Sequence, residues 1–427
     1  MSRLLNRRRL ALLSLGVGFS TFALAAIVSE PSLRACFSPS FLKEWLRVGK
    51  VMRLTQSRFV EAEKAPFAAL GRNAAVGAAS GLDRYTEYLD EAAFAEQNRR
   101  AEQLFTGIGI LMQPVDGLIT AERVYSGGGA EAAGILPGDR IVAADEHDLA
   151  GLPLDEAGAR IRGDEGTSVR LRVLRPGTPS PLEFTVTRRT VSVPTVTTSR
   201  LLDDGATAYV AIDHFERRTP LELATAFDAL RAKGARRLIL DLRGNPGGLV
   251  DAAADTVGLF APRGAVVARL AGRTRDDSET YRTALDPEYR GTPLAVLIDG
   301  GSASASEIVA GALQDHGAAV LVGARTFGKG LVQSIYRLDD TTGLKLTTAH
   351  YTLPAGRAIH GKGVEPDVVV GESAEAGTRR FHEESLVKHA GGLSSFAARF
   401  GYAPEDDRAL ATALALLGAR DTVAARK

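Results

Sequence analysis

Cysteine is the scarcest chemistry in this chain. Cys36 is the single one in 427 residues, which excludes an intramolecular disulfide framework and a cysteine-held zinc site. Charge of one sign is missing as well: 52 Lys and Arg against 51 Asp and Glu leave a formal +1, so no overall field draws the chain toward nucleic acid. No HExxH occurs among the seven histidines, and none stands in a metal-ligand pattern, so no histidine-held metal is expected. Asp315-His316 invites a Ser-His-Asp triad, but side chains adjacent at a helix end point apart.

What remains is an ordinary globular make-up, 45% hydrophobic and 24% charged, in a chain long enough for more than one domain at roughly 100–200 residues each. Residues 1–30 read as a signal peptide or an N-terminal membrane anchor. Arg7, Arg8 and Arg9 precede an apolar stretch over 10–28, and Ala23-Leu24-Ala25 offers a small-x-small cleavage site. Positive charge ahead of that stretch predicts that the N-terminus stays inside and the body is exported to the cell envelope, periplasmic or anchored to the inner membrane and facing outward. Leu33-Arg34-Ala35-Cys36 is only a faint lipoprotein pattern, with Arg34 and the Ser29-Glu30-Pro31 break against it.

Residues 31–100 are expected to be helical, because Phe41, Leu42, Trp45, Leu46, Val48 and Val51 recur at near-helical spacing. Such a stripe suits packing against a neighbour or a partner chain. Over 101–190 the texture changes to short β-type runs at 107–112, 117–121, 169–174 and 182–187, with a helix over 154–162. From 191 to 371 strands and helices alternate: strands over 208–212, 237–242, 294–299 and 319–323, helices over 221–233, 250–260 and 304–314, and a last β section from 343. That alternation argues an α/β layered core, a sheet covered by helices. Residues 372–427 are polar, then Ala/Leu-rich, and are expected as a helical tail peripheral to the core.

The chemistry concentrates in two short runs. Gly301-Ser302-Ala303-Ser304-Ala305-Ser306-Glu307 puts three serines at a strand-to-helix junction, and Gly328-Lys329-Gly330 follows, 329 − 304 = 25 residues after the middle serine. That separation has room for one helix and one strand that fold back. A serine hydroxyl is a poor nucleophile until a base removes its proton. A buried lysine can act as that base, because desolvation favours its neutral amine. The amides at the start of a helix favour developing negative charge. Of the three, Ser302 or Ser306 suits the helix-capping part. Gln333, four residues after Lys329, can hydrogen-bond the amine. The loop Asp241-Leu242-Arg243-Gly244-Asn245-Pro246-Gly247-Gly248 follows a buried strand, and its glycines let backbone N–H groups face a ligand. It lacks the spacing of a phosphate cradle.

The 101–190 segment resembles a PDZ domain, in which a peptide C-terminus adds as a strand and backbone N–H groups hold its carboxylate. The resemblance lays the peptide along Gly107, Ile108, Gly109 and Ile110, with Leu154, Ala157 and Ile161 closing the groove. Several motifs join it in order: Gly81-Leu82-Asp83, the 241–248 loop, 301–314, Thr326-Phe327-Gly328-Lys329-Gly330 and Gly361-Lys362-Gly363-Val364-Glu365-Pro366-Asp367. In this order, residues 38–370 resemble the carboxyl-terminal processing peptidases, Ser/Lys endoproteases with an embedded PDZ domain. The resemblance implies a ClpP/crotonase-like core with Ser304 as nucleophile, Lys329 as general base and Gln333 orienting the lysine. It implies an oxyanion hole from the Ala305 N–H and a glycine amide at Gly247 or Gly248. The implied reaction runs through an acyl-enzyme without a cofactor, on unstructured C-terminal regions of exported proteins. Further expected partners are an adaptor or lipoprotein, a second copy of the chain, and the membrane at the N-terminus. Arg84-Tyr85 and Leu353 depart from a Pro-His pair and a Thr common in that family; both lie off the dyad. Two other readings stay open: a silent PDZ adaptor, which would need none of Ser304, Lys329 and Gln333, and an acyl-CoA-type enzyme, for which no nucleotide surface is found. The insertion of the PDZ segment between helical entry and core suggests that it gates the serine.

Overall fold

A computed structural model describes residues 38–101, 104–115, 117–371 and 406–424. The expected targeting segment and Cys36 lie outside them. Among the described residues no helix is long and apolar enough to cross a membrane. The described residues divide into two units, one of those up to Tyr88 with Leu344–Leu346, the other of Leu89–Gly343 with those from Thr347 onward.

In the first unit, helix α1 (Pro39–Arg58) starts where the Ser38 hydroxyl accepts the Phe41 N–H at 3.2 Å and a proline occupies the first turn. Helix α2 (Phe67–Ser80) follows, then the short strand β1 (Glu87–Leu89). The apolar residues predicted to stripe α1 are exposed, Trp45 at 63%.

The second unit opens with α3 (Glu91–Ala101) and then the segment expected as a PDZ domain. That segment holds β2 (Leu104–Gly107), β3 (Ile110–Val115), β4 (Leu118–Val124), α4 (Gly129–Ala133), β5 (Arg140–Ala144), β6 (His147–Asp148), α5 (Leu154–Ile161), β7 (Ser168–Leu174), β8 (Leu182–Thr187) and β9 (Arg189–Ser192). Strands β3-β4-β5-β7-β8 form a sheet, with β6 paired to β5. Along β7, Val169, Leu171 and Val173 are buried while Ser168, Arg170 and Arg172 face out, the period of two that a half-buried strand requires. The entry strand β2 pairs antiparallel with the exit strand β9, Leu104 opposite Ser192 and Gly107 opposite Arg189. The run 107–112, expected as one strand, is two. Gly109 takes a φ of +79°, and a Cβ there would stand 2.8 Å from the Gly128 Cα, so the chain turns between β2 and β3 against that glycine.

The rest of the unit comprises β10 (Val196–Leu201), β11 (Thr207–Ile212), α6 (Thr219–Arg231), β12 (Arg237–Asp241), α7 (Val250–Gly258), β13 (Val266–Gly272), β14 (Glu279–Arg282), β15 (Leu294–Ile298), α8 (Ala305–Asp315), β16 (Val320–Gly323), β17 (Leu331–Arg337), β18 (Gly343–Thr352), β19 (Val368–Val369) and α9 (Arg408–Ala424). The central sheet runs β10-β11-β12-β15-β16-β19, parallel from β11 onward, with β10 an antiparallel edge. Strands β12 and β15 are buried at every residue, as expected of strands covered on both faces. Their side chains alternate between two clusters. Leu238 and Leu240 pack with Phe227 of α6, Val257 of α7 and Ile308 of α8. Ile239, Ala295 and Leu297 pack with Ala409, Ala413 and Leu417 of α9. The C-terminal residues, expected as a peripheral tail, therefore supply a core layer, because one sheet face would otherwise expose Tyr209, Ile239 and Leu297. The hairpin β13–β14, unread in the sequence, joins β17 and β18 in a second sheet.

Candidate active site

The site forms where β12 and β15 end side by side. Asp299, one residue past β15, accepts through Oδ1 the N–H groups of Gly244 at 2.9 Å, Gly301 at 2.9 Å and Ser302 at 3.1 Å, which ties the loop after β15 to the loop after β12. Two of the three serines are spent on the same join. The buried Ser302 hydroxyl donates to the Leu242 carbonyl at 2.7 Å and the buried Ser306 hydroxyl to the Asn245 carbonyl at 2.9 Å. Ser304 differs. It is half-buried, stands at the N-cap of α8, and holds a φ of +56°, a left-handed backbone rare for a residue with a Cβ. Such strain costs on the order of 1–3 kcal/mol and persists only where the surroundings enforce it.

The enforcing group is Glu307, fully buried on the first turn of α8. Its Oε2 accepts the Ser304 N–H and the Lys329 N–H, both at 2.8 Å. Its Oε1 accepts the Thr326 hydroxyl at 2.5 Å and the Gly328 N–H at 2.8 Å. One carboxylate thus holds the amides of Ser304 and Lys329 together. Tyr351, on β18, holds their carbonyls: its phenol oxygen lies 2.9 Å from the Ser304 oxygen and 2.8 Å from the Lys329 oxygen, so one proton serves both. Burial pushes that phenol well above its ordinary range, the nearby Glu307 charge adding to the effect, and it stays a donor. Lys329 is half-buried between Gly328 and Gly330. Gln333, on β17, is half-buried and donates to the Thr347 hydroxyl at 3.3 Å.

The glycine loop touches the serine. A Cβ on Gly247 would lie 2.8 Å from the Ser304 Cβ and 2.8 Å from the Ala305 nitrogen. The Gly247 N–H itself donates to the Asn245 Oδ1 at 2.9 Å. Gly248, beside it, is exposed and takes a φ of +148°; a Cβ there would stand 2.0 Å from the Phe215 carbonyl oxygen. Ala305 is the first residue of α8, where an amide has no intrahelical acceptor.

The proposed peptide groove lies along β3, an edge strand against which α5 packs. Ile108, Ala157 and Ile161 are buried in the PDZ core, while Gly107, Gly109, Ile110 and Leu154 are half-buried. Arg123 of β4 forms an ion pair with Asp213, just after β11, which joins the PDZ segment to the layered core. Glu307, Tyr351 and Asn245 are the site residues that the sequence reading missed. Ser304-Ala305-Ser306-Glu307 is a capping-box spacing and could have drawn attention to Glu307; nothing local marks Tyr351.

An α/β core with a serine on a strained strand-to-helix turn and an inserted PDZ segment defines a class, the serine-type peptidases of this architecture. The profile of Peptidase family S41 matches residues 206–370, and that of a PDZ domain matches 120–175. The chain is 33% identical over 351 residues to a carboxy-terminal-processing protease of Bartonella bacilliformis, covering 81% of this chain and 79% of that protein. It is 41% identical over 268 residues to a carboxyl-terminal-processing protease of Synechocystis sp., covering 62% of each. A solved Bacteroides fragilis structure assigned to the S41 proteases shares the fold at 15% identity, with a TM-score of 0.54 over 88% of this chain and 97% of that one. The chain belongs to peptidase family S41, among the carboxyl-terminal processing proteases.

Proposed function

We propose that this protein is an endopeptidase that cuts exported proteins near their C-termini, with Ser304 as nucleophile and Lys329 as general base. The observation that carries the reading is the double clamp, Glu307 on the two amides and Tyr351 on the two carbonyls. In the reaction the neutral Lys329 amine takes the Ser304 proton as Oγ bonds to the substrate carbonyl carbon. The C–N bond then breaks, the lysine returns the proton to the leaving amine, and water resolves the ester with the lysine again as base. The Ala305 and Gly248 amides receive the developing oxyanion, aided by the positive end of α8. Gln333 orients the lysine.

The open edge of β3 takes the substrate C-terminus as an added strand, with amides of the Gly107–Ile110 turn at its carboxylate and Leu154 beside it. The Arg123–Asp213 pair gives this capture a route to the core, so that peptide binding gates the serine. The protein works in the cell envelope. The exposed apolar stripe of α1 suits a second copy or an adaptor.

The test compares the chain lacking residues 1–30 with its Ser304→Ala and Lys329→Ala forms on an unfolded protein with an apolar C-terminus. Cleavage by the parent alone, unaffected by chelators, is the expected result. Binding without cleavage by all three would identify an adaptor instead.

A further inference from the structure

Asp407 lies just ahead of α9, outside the 206–370 stretch that the family profile matches. Its Oδ1 accepts the Leu410 N–H at 2.9 Å, which caps the helix. The same carboxylate grips Arg243: Nη1 donates to Oδ1 at 2.9 Å and Nη2 to Oδ2 at 2.8 Å. The other edge of the guanidinium grips Asp241, whose Oδ2 also accepts the Tyr209 phenol at 2.8 Å. The three charged side chains are 6%, 7% and 14% exposed for Arg243, Asp241 and Asp407. Arg243 therefore sits in a nearly dry cage of two carboxylates, one from the strand it follows and one from the far end of the chain.

The backbone around Arg243 belongs to the catalytic loop. Leu242, before it, accepts the Ser302 hydroxyl; Gly244, after it, donates to Asp299; and Asn245 accepts the Ala303 N–H at 2.9 Å. Gly247 and Gly248 continue the same loop against Ser304 and Phe215. Packing of α9 onto the sheet needs only its apolar face, and capping needs only Oδ1. The bidentate grip on Arg243 is an additional device. Without it Nη1 loses its bond to Oδ1 and Nη2 its bond to Oδ2 inside a nearly closed cage, and the loop the guanidinium anchors must shift to compensate.

We propose that Asp407 is a positioning residue of the protease, which sets the Gly248 amide against Ser304 by completing the cage around Arg243. The cap ahead of the C-terminal helix, and not the helix body, then acts on the catalytic loop. This inference rests on the Ser304/Lys329 reading above.

The experiment uses the chain lacking residues 1–30 and follows both steady-state cleavage of an unfolded protein and the rate at which a fluorophosphonate labels Ser304. Asp407→Asn keeps an oxygen for the helix cap and for Nη1, loses the anion, and sets an NH2 group against the Nη2 donor that now meets Oδ2. Leu417→Ala loosens the same helix without touching Arg243. Asp407→Asn should lower kcat and the labelling rate about 10- to 100-fold, the scale of a mispositioned catalytic group, with KM changed less than about twofold. Leu417→Ala should leave kcat within about twofold even where its Tm falls further. Asp407→Asn behaving as the parent, or the two variants losing kcat in step with Tm, overturns the proposal while leaving the dyad intact. A parent that neither cleaves nor labels removes the dyad reading and this inference with it.

Discussion

At the scale of single residues, the two clamps carry the sharpest predictions. Glu307→Gln puts an NH2 group where two N–H donors now meet an oxygen. The variant should lose on the order of 1–3 kcal/mol of stability from buried donors left unmatched, read by thermal unfolding, and most of its peptidase activity. Tyr351→Phe removes one shared proton and should cost about 1 kcal/mol, with a several-fold fall in kcat and little change in KM. Gly248→Ala drives a methyl to 2.0 Å from the Phe215 oxygen, so it should abolish turnover even where the protein still folds. Ser304 and Lys329 could be picked out of the sequence because small residues and glycines crowd around them. Glu307 could have been, from its spacing after Ser304. Tyr351 could not, because its partners lie 47 and 22 residues away and only the return of β18 brings them together.

At the scale of elements, period and turn chemistry made most strands and helices readable, and the exceptions have physical causes. The run 107–112 carries an unbroken apolar pattern, yet Gly109 bends it because Gly128 occupies the space a straight strand would need. The β4 turn next to it predicts a pH effect. Burial pushes the Tyr125 phenol up to about 12, with the Arg123 charge opposing it and the Asp213 and Glu122 charges adding to it. A pKa raised by folding means stability present in full below the ordinary phenol range and lost as pH climbs from 10 toward 12. The loss amounts to at most about 3 kcal/mol at roughly 1.4 kcal/mol per unit. Tyr125→Phe should flatten that part of the alkaline unfolding curve, followed by circular dichroism.

At the scale of the whole molecule, the second face of the central sheet was the part least readable in advance. Strand β15 is apolar throughout and β12 is apolar between Arg237 and Asp241, which announces cover on both sides, but not that the cover comes from residues 408–424. A chain ending at Gly371 uncovers Tyr209, Ile239, Ala295, Leu297 and Val322. It should bind a hydrophobic dye and aggregate, whereas a chain that forms a cooperative native state without α9 would refute the layered role assigned here. The pairing of β2 with β9 has a different consequence. The inserted segment leaves the chain through a two-stranded neck whose ends, Leu104 and Ser192, face each other across a single ladder rung, about 5 Å apart. The segment is thus a cassette on one stem. A short turn grafted across that rung would splice the chain shut, and the peptidase core could be made to run, or to stand idle, without its PDZ segment.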